Sequence, residues 1–203
     1  SLPCSDFSFT CGDSPINYTA TYKYLGVWMN EHLNMKKTVT ELCKSASRAL
    51  SALYTKCLNA GGMTYHVYSK LYKSLVEPVL FYAAGVWGIT DYPGIQVVQH
   101  KACRYFLGGG KYASNTALRG DMGWNSCFVN MKLECFRLYA KLERTDDERL
   151  LKKVFNWSKS YKKGWENRVR KLGESLNVLD IVNNASLSTK RIMTEIKGTL
   201  ILK

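Results

Sequence analysis

Two different spacings of hydrophobic residues divide this chain into a short extended segment and a long helical one. Between residues 6 and 29, aromatic and aliphatic residues alternate with polar ones, as Phe7 and Phe9 do, and Gly12-Asp13 interrupts the alternation. Alternation of period two bounded by turn residues is typical of half-buried β-strands. Gly26, inside the later part of this pattern, indicates a bend or a close approach of the backbone.

From about residue 35 onward, apolar residues recur every three to four positions, which is the spacing of amphipathic helices. The first stripe covers about 35–58 and stops at Gly61-Gly62, and the second covers about 64–87. Pro78 lies inside the second stripe and is predicted to kink or split it, because proline lacks the backbone donor. Further helices are predicted between Asp91 and Gly108 and near 126–142, 164–172 and 188–197.

These patterns predict a mainly α fold of the α+β class, with a short N-terminal β-hairpin region followed by a helical bundle and a helical extension. We divide the chain at 1–32, 33–142 and 143–203, the last segment being rich in bases. No run of 18 or more apolar residues occurs, so the sequence predicts no membrane-spanning helix and no membrane partner.

The charge of the chain favours the classes of protein that bind polyanions. The formal net charge is +13, and it is unevenly distributed along the chain. Residues 1–35 hold one base and three acids, so the remainder carries 28 bases against 13 acids. A surface with this excess of bases attracts polyanions, and nucleic acids are abundant polyanions inside cells. The alternative is that the charge only keeps the protein soluble.

Cysteine usage indicates a reducing compartment. The seven cysteines are odd in number and form no C-x-x-C pair, so we expect unbridged thiols and no bound zinc. The predicted location is intracellular, in the cytoplasm, the nucleus or both. The chain begins with Ser-Leu-Pro, without an initiator Met, and we expect it to be a piece of a longer protein.

Four segments, taken in order, carry a family resemblance. They are Tyr22-Lys23-Tyr24-Leu25-Gly26-Val27, the run from Leu71 to Tyr82 with Val86-Trp87, the run from Gln99 to Gly108, and the run from Leu118 to Trp124. Together they resemble non-LTR (LINE-type) retrotransposon reverse transcriptases, in the part that follows the metal-binding palm motif. The resemblance covers about 6–142 and, weakly, 143–172, with Ala83 standing where the family often has Gly.

The resemblance implies that 1–32 is the end of a palm with primer-grip strands, 33–142 is a helical thumb and 143–203 is a basic extension. Its parent would be an RNA-directed DNA polymerase, whose magnesium site needs a Tyr-x-Asp-Asp turn. That turn is not in this sequence, where the only Asp pair is Asp146-Asp147. Thr145 and Glu148 around it predict a helix capping box instead, so we expect no catalytic residue, metal or cofactor in this chain.

Two groups of bases are candidates for binding nucleic acid on their spacing alone. Lys37, Lys44 and Arg48 fall on one edge of the first predicted helix, where they could contact successive phosphates. The second group lies among aromatic residues in 152–171, a mixture that suits phosphate contact and base stacking. Its candidate residues are Lys159, Lys162, Lys163, Trp165 and Arg168. The competing accounts are a solvated helix face for the first group and buried aromatics for the second.

The resemblance adds Lys23 and Tyr24 as primer-grip residues. The predicted function is therefore to hold the primer–template or template RNA mainly through its backbone. Its partners would be RNA, DNA or an RNA–DNA hybrid, and the rest of the polymerase chain. Two alternatives remain: a domesticated, stand-alone nucleic-acid-binding protein, and a protein-interaction scaffold that uses residues 174–203.

The absence of paired metal-binding carboxylates from the sequence predicts that the 203-residue chain alone neither polymerises nor cleaves nucleic acid with magnesium or manganese. A primer-extension assay and a nuclease assay on the pure chain test this, with Asp146→Ala as the control variant. Template-dependent incorporation that disappears in Asp146→Ala would contradict the prediction.

Overall fold

The fold is two small β-hairpins followed by a helical bundle, which confirms the predicted α+β class. The computed structural model describes residues 9–184 and 186–202, so the part of the predicted strand pattern that contains Phe7 lies outside them. Strands β1 (Phe9–Cys11) and β2 (Ser14–Ile16) form the first hairpin, and β3 (Thr21–Tyr24) and β4 (Val27–Asn30) form the second. Both hairpins are antiparallel.

The helices follow in one run along the chain. They are α1 (Lys36–Asn59), α2 (Tyr65–Leu71), a π-helical turn (Tyr72–Val76), α3 (Glu77–Leu80), α4 (Ala84–Trp87), α5 (Pro93–Leu107), α6 (Asn115–Asp121), α7 (Cys127–Glu143), α8 (Leu150–Ser158), α9 (Trp165–Ser175), α10 (Leu179–Asn183) and α11 (Thr189–Leu202). Periodicity located α1, α5, α7, α9 and α11 to within a few residues. The short helices α6 and α10 were not predicted.

The predicted split at Pro78 is confirmed. Pro78 has no N–H for the carbonyl of Ser74, and the chain widens into the π-helical turn just before it. Ala83 then takes a left-handed conformation, with φ of 55°, and separates α3 from α4. The indole N–H of Trp87 donates to the Tyr82 carbonyl at 2.9 Å, which satisfies one acceptor that this break leaves. A single predicted helix therefore becomes a bent series of short ones.

The predicted capping box at Thr145–Glu148 is wrong. α8 begins at Leu150, and the backbone N–H of Glu148 donates to the Asp146 carboxylate at 3.1 Å within a turn. The Thr145 hydroxyl donates back to the Lys141 carbonyl at 2.8 Å, so it serves the end of α7. The acids therefore shape the α7–α8 turn, and the helix starts after it.

The hydrophobic core has two parts that meet along α7. The first is built on α1 to α6 and the start of α7, up to Met131, and the second runs from Leu133 to Leu200. α7 packs against α4 with one part of its surface and against α11 with another. The division of the core thus falls inside α7, and the boundaries proposed at 32/33 and 142/143 stay a prediction.

Two glutamines on α5 hold the start of α7. The Gln96 side-chain oxygen accepts from the Ser126 hydroxyl and from the Cys127 backbone N–H, both at 3.1 Å. The Gln99 amide donates to the Asn125 carbonyl at 2.8 Å. Gln96 also donates to Gln99 at 2.8 Å and lies 3.0 Å from Nε2 of His100. The glutamine of the third resembling segment therefore has a structural role in this fold.

The second hairpin is anchored on α1 by Thr38. The buried Thr38 hydroxyl donates to the Trp28 carbonyl and accepts from the Trp28 N–H, each at 2.8 Å. At the far end of the hairpin, Leu25 and Gly26 form a two-residue turn with φ of 45° and 85°. The Tyr82 hydroxyl donates to the Leu25 carbonyl at 2.7 Å, and its ring lies so close to Gly26 that a β-carbon there would be 3.3 Å away. The close backbone approach predicted at Gly26 is confirmed.

Replacing Thr38 by Val should detach the second hairpin, because both backbone groups of Trp28 lose their partner. We expect a loss of about 1–3 kcal/mol in the free energy of unfolding, and faster amide exchange over 21–30. Urea unfolding and hydrogen exchange measure the two effects. Thr40→Val is the matched control, since Thr40 is exposed on the same helix and should change stability by less than about 0.5 kcal/mol. Equal losses in the two variants would refute the anchoring role.

His100 should make stability depend on pH. Burial, and then the charges of Arg119 and Arg104, lower the pKa of His100, and its Nε2 must stay unprotonated to accept from Gln96. The unfolded chain therefore takes up a proton at a higher pH than the folded protein. Stability should fall as the pH drops below about 6.5.

Urea unfolding at about pH 7.5 and about pH 5.5 tests this in His100→Gln, whose amide oxygen still accepts but does not titrate. The variant should lose less stability over that interval than the natural sequence. His66→Gln, at an exposed position, is the control and should behave like the natural sequence. An identical loss in His100→Gln would contradict the argument.

Candidate nucleic-acid interface

A groove between α1 and α5 brings together part of the predicted basic row. Its volume is about 810 Å³. One wall is the α1 edge that carries Lys36, Lys44 and Arg48, and the other is the start of α5 with the residue before it. The apolar floor and far wall comprise Val39, Cys43, Tyr92, Pro93, Val97 and Val98. The groove exists because α1 and α5 pack against each other through the first core.

The cations at the rim of this groove differ in how far they are already neutralised. Lys44 donates to the Glu41 carboxylate at 2.8 Å, and this hydrogen bond lowers the pKa of Glu41. Arg48 donates to the neutral Ser45 hydroxyl at 2.9 Å, and its charge also contributes to lowering the pKa of Glu41. Lys36 has no side-chain hydrogen bond or ion pair with any residue in the described part of the chain. Sequence reasoning missed both Lys36 and Glu41.

Lys37 does not line this groove, although it belongs to the predicted row. Its ammonium lies 3.8 Å from the centroid of the Trp28 ring and donates to the Thr21 hydroxyl at 2.9 Å. Lys23, which pairs with Trp28 across the hairpin, has its ammonium 5.8 Å from the same ring. Lys37 therefore lies at the second hairpin and not in the groove. It lies near Lys23 there, and the neighbouring Tyr24 is half-exposed.

The segment 152–171 splits into an exposed part and a structural part. Lys152, counted among its bases, is buried and donates to the carbonyls of Leu142 and Glu143 at 3.3 and 2.6 Å, so it caps the end of α7. Lys159 lies 2.8 Å from the Glu143 carboxylate. Burial alone would raise the pKa of Glu143, but Lys159 and Lys152 together lower it.

Trp165 and Arg168 face the α4 region. The Trp165 indole N–H donates to the Gly85 carbonyl at 3.0 Å, and its ring lies 6.4 Å from that of Tyr139. Arg168 donates to the Thr90 hydroxyl at 2.9 Å. These contacts dock α9 on the bundle and give Trp165 a packing role. The predicted binding role of both residues stays untested.

The exposed part of this segment is the α8–α9 turn. Trp157 and Tyr161 are 65% and 50% exposed, and their rings meet edge to face at 5.2 Å. Lys162 and Lys163 are exposed beside them, as is Lys159. Cations and exposed aromatic rings therefore occur together here, a combination that suits phosphate contact and base stacking. This turn and the α1–α5 groove share no residue and belong to different parts of the core.

Within 9–184 and 186–202, no group of three or more His, Cys, Asp or Glu side chains could hold a metal ion. The helices in those ranges are all too short or too polar to span a bilayer. The described cysteines are free thiols, and burial raises the pKa of Cys103 to about 11 and of Cys135 to about 12. Cys4 lies outside the described ranges.

The comparisons with known proteins give two relatives. The chain is 24% identical over 133 residues to the probable RNA-directed DNA polymerase from transposon X-element of Drosophila melanogaster. The matched stretch covers 64% of this chain and 15% of that protein. It is 29% identical over 116 residues to the RNA-directed DNA polymerase from mobile element jockey of Drosophila funebris, covering 56% and 13%. The chain matches no protein-family model and no solved structure.

These similarities support a relation between the chain and the polymerases of non-LTR retrotransposons, which agrees with the resemblance of the four segments. The chain spans about a seventh of the length of either relative. The assignment of this stretch to the end of the palm and the thumb stays a prediction.

Proposed function

We propose that this chain is the thumb region, with the end of the palm, of a retrotransposon RNA-directed DNA polymerase, and that it holds nucleic acid mainly through the backbone. The order of the resembling segments supports the assignment, as do the two relatives, whose names give this activity. The partners would be RNA, DNA or an RNA–DNA hybrid, and the rest of the polymerase chain, inside the cell. The magnesium site would lie in that other part of the polymerase.

The observation that carries this proposal is the α1–α5 groove. From Lys36 to Arg48 the helix rises about 18 Å, which equals the rise of about five nucleotides of one strand along the axis of a duplex. Cations at the rim can contact phosphate oxygens, while the apolar floor accepts the less polar sugar edges. Such contacts fix the position of a strand and carry no information about its sequence. This is what a clamp on a moving primer–template requires.

The second hairpin extends this surface in our proposal. Thr38 and Tyr82 hold the hairpin against the start of α1 and the end of α3, so Lys23 and Tyr24 keep a fixed position relative to the helix. A primer grip needs that rigidity, because it must aim the last nucleotide of the primer at a distant metal site. The Lys37 ammonium, held on Trp28, adds positive charge to the same end.

The salt dependence of binding tests the groove. Each lost phosphate contact should make the slope of log K against log salt shallower by about 0.7–0.9. Replacing Lys36, Lys44 and Arg48 by Gln should therefore reduce the slope by about 2 and weaken binding to different sequences equally. The reduction should be nearer the lower bound, because Glu41 already neutralises part of the charge of Lys44. Fluorescence anisotropy with an RNA–DNA hybrid, across a salt series, measures this.

Two further triple variants make the comparison internal. Gln at Lys56, Lys70 and Lys111, which are all exposed, removes the same charge elsewhere and should leave the slope nearly unchanged. Gln at Lys159, Lys162 and Lys163 tests the α8–α9 turn. If the groove variant binds normally and the turn variant loses affinity and slope, the clamp assignment is wrong. If no variant alters binding, the positive charge serves only solubility. The protein-interaction scaffold is then the favoured alternative.

A further inference from the structure

A second basic groove, which the sequence did not reveal, lies between the end of α7, the α7–α8 turn and the start of α11. We call it the α7–α11 trough. Its volume is about 590 Å³, and its lining includes Arg137, Lys141, Arg144, Arg149 and the hydroxyls of Thr145 and Thr189. Asp146 is the single acid among the lining residues. No residue of the trough belongs to the α1–α5 groove.

The cations of the trough are largely uncompensated. Lys141 and Arg149 are exposed and have no side-chain hydrogen bond or ion pair with the residues that the structure describes. Arg137 is paired with Glu134. The Asp146 carboxylate accepts from the backbone of Glu148 at 3.1 Å. A set of four bases therefore faces one acid within the trough itself.

Arg144 is held in place by neutral groups. It donates to the Asn184 carbonyl at 2.8 Å and to the Thr189 hydroxyl at 3.2 Å. Both acceptors come from the segment that leads into α11, so they fix the guanidinium without cancelling its charge. A guanidinium has five N–H donors, so others remain for an anion. An arginine fixed in advance loses less side-chain entropy when it binds phosphate.

The spacing along α7 suits a strand of phosphates. Arg137, Lys141 and Arg144 are four and three residues apart, which places them on one face of the helix over about 10 Å. The negative end of the helix dipole would oppose an anion there. Lys152 offsets it, because its ammonium binds the carbonyls of Leu142 and Glu143 at that end.

The trough continues into a wider groove, of about 690 Å³, along α11. The two share Arg137 and Thr189, and the wider one adds Lys190 and Lys197. Its acids are Glu134, already paired with Arg137, and Glu77. The basic path thus extends beyond one phosphate. The α1–α5 groove carries its cations at the rim, where a duplex can reach them, whereas the four bases of the trough line a smaller recess, of about 590 Å³, which suits an unpaired strand.

We propose that the α7–α11 trough is a second backbone-binding site, which takes the phosphodiester groups of a single-stranded nucleic acid. The inference goes beyond the proposed function and rests on it only for the identity of the polyanion. In a polymerase fragment, the strand held here would be an unpaired segment outside the duplex that the α1–α5 groove clasps.

The test uses the full 203-residue chain with Lys141→Gln and Arg149→Gln combined, since both side chains are exposed and removing them costs no contact. The matched control combines Lys56→Gln and Lys111→Gln, which remove the same charge from two exposed residues outside both grooves and the trough. The probes are a labelled 20-nucleotide oligouridylate and a 20-base-pair RNA–DNA hybrid, each measured across a salt series.

Two lost contacts to a single strand should reduce the slope of log K against log salt by about 1.4. Extrapolated from about 1 M salt, this difference in slope makes oligouridylate binding about 25-fold weaker at about 0.1 M salt. Hybrid binding should change much less than this. The control should lose little affinity for either probe. Unlabelled oligoglutamate of equal charge should compete poorly with oligouridylate.

Three results would overturn the proposal. One is unchanged oligouridylate binding in the trough variant while the α1–α5 groove variant weakens hybrid binding. Another is an equal loss in the control, which would make the effect one of net charge alone. The third is oligoglutamate competing as well as RNA, which would make the trough a site for an acidic protein. If the natural sequence binds neither probe, the proposed function itself fails, and that outcome differs from the other three.

Discussion

The structure depends on the burial of α7, whose two ends both bind side chains from other helices. Gln96 of α5 accepts from the first backbone N–H of α7, and the ammonium of Lys152 in α8 binds the carbonyls at its end. A helix leaves such groups without intrahelical partners, and they are costly to bury unsatisfied. Because α5 and α8 each bind backbone groups at one end of α7, both helices are fixed relative to it. The two parts of the core meet on this helix.

That arrangement decides where the basic surfaces lie. α5, held to α7 by the glutamines, forms one wall of the α1–α5 groove. α8, held by Lys152, sets the turn that presents Trp157 and Tyr161 to solvent. α7 itself supplies three cations of the trough. The second hairpin is attached separately, through Thr38 and Tyr82, to the first part of the core. Buried contacts therefore fix the geometry of each of these surfaces. Fixed surfaces suit a protein that contacts a regular, charged backbone.

Local charge pairing distinguishes bases that are already partly neutralised from bases that are fully available to an anion. Lys152, Lys159 and Lys44 each lie beside a carboxylate. Lys36, Lys141 and Arg149 do not, within the part of the chain that the structure describes. Since an ion pair already neutralises a cation, the unpaired ones release more counterions when a phosphate binds. The net charge of +13 therefore overestimates the positive charge that is available to nucleic acid. The positions of the unpaired bases show which parts of the surface are available.

The sequence by itself determined the fold class, the long helices, the split at Pro78 and the close approach at Gly26. These follow from hydrophobic periodicity and from the backbone of proline and glycine, which act over a few neighbouring residues. It also supported the relation to retrotransposon polymerases, through short segments whose residues lie close together in the chain. Only the tertiary structure decided which predicted site residues share a surface. Lys37 lies on Trp28 and Lys159 lies beside Glu143, whereas Arg144, which the sequence did not predict as a site residue, is fixed by a segment forty residues away. The partners that decide these positions come from distant parts of the chain, and no local pattern of residues records them.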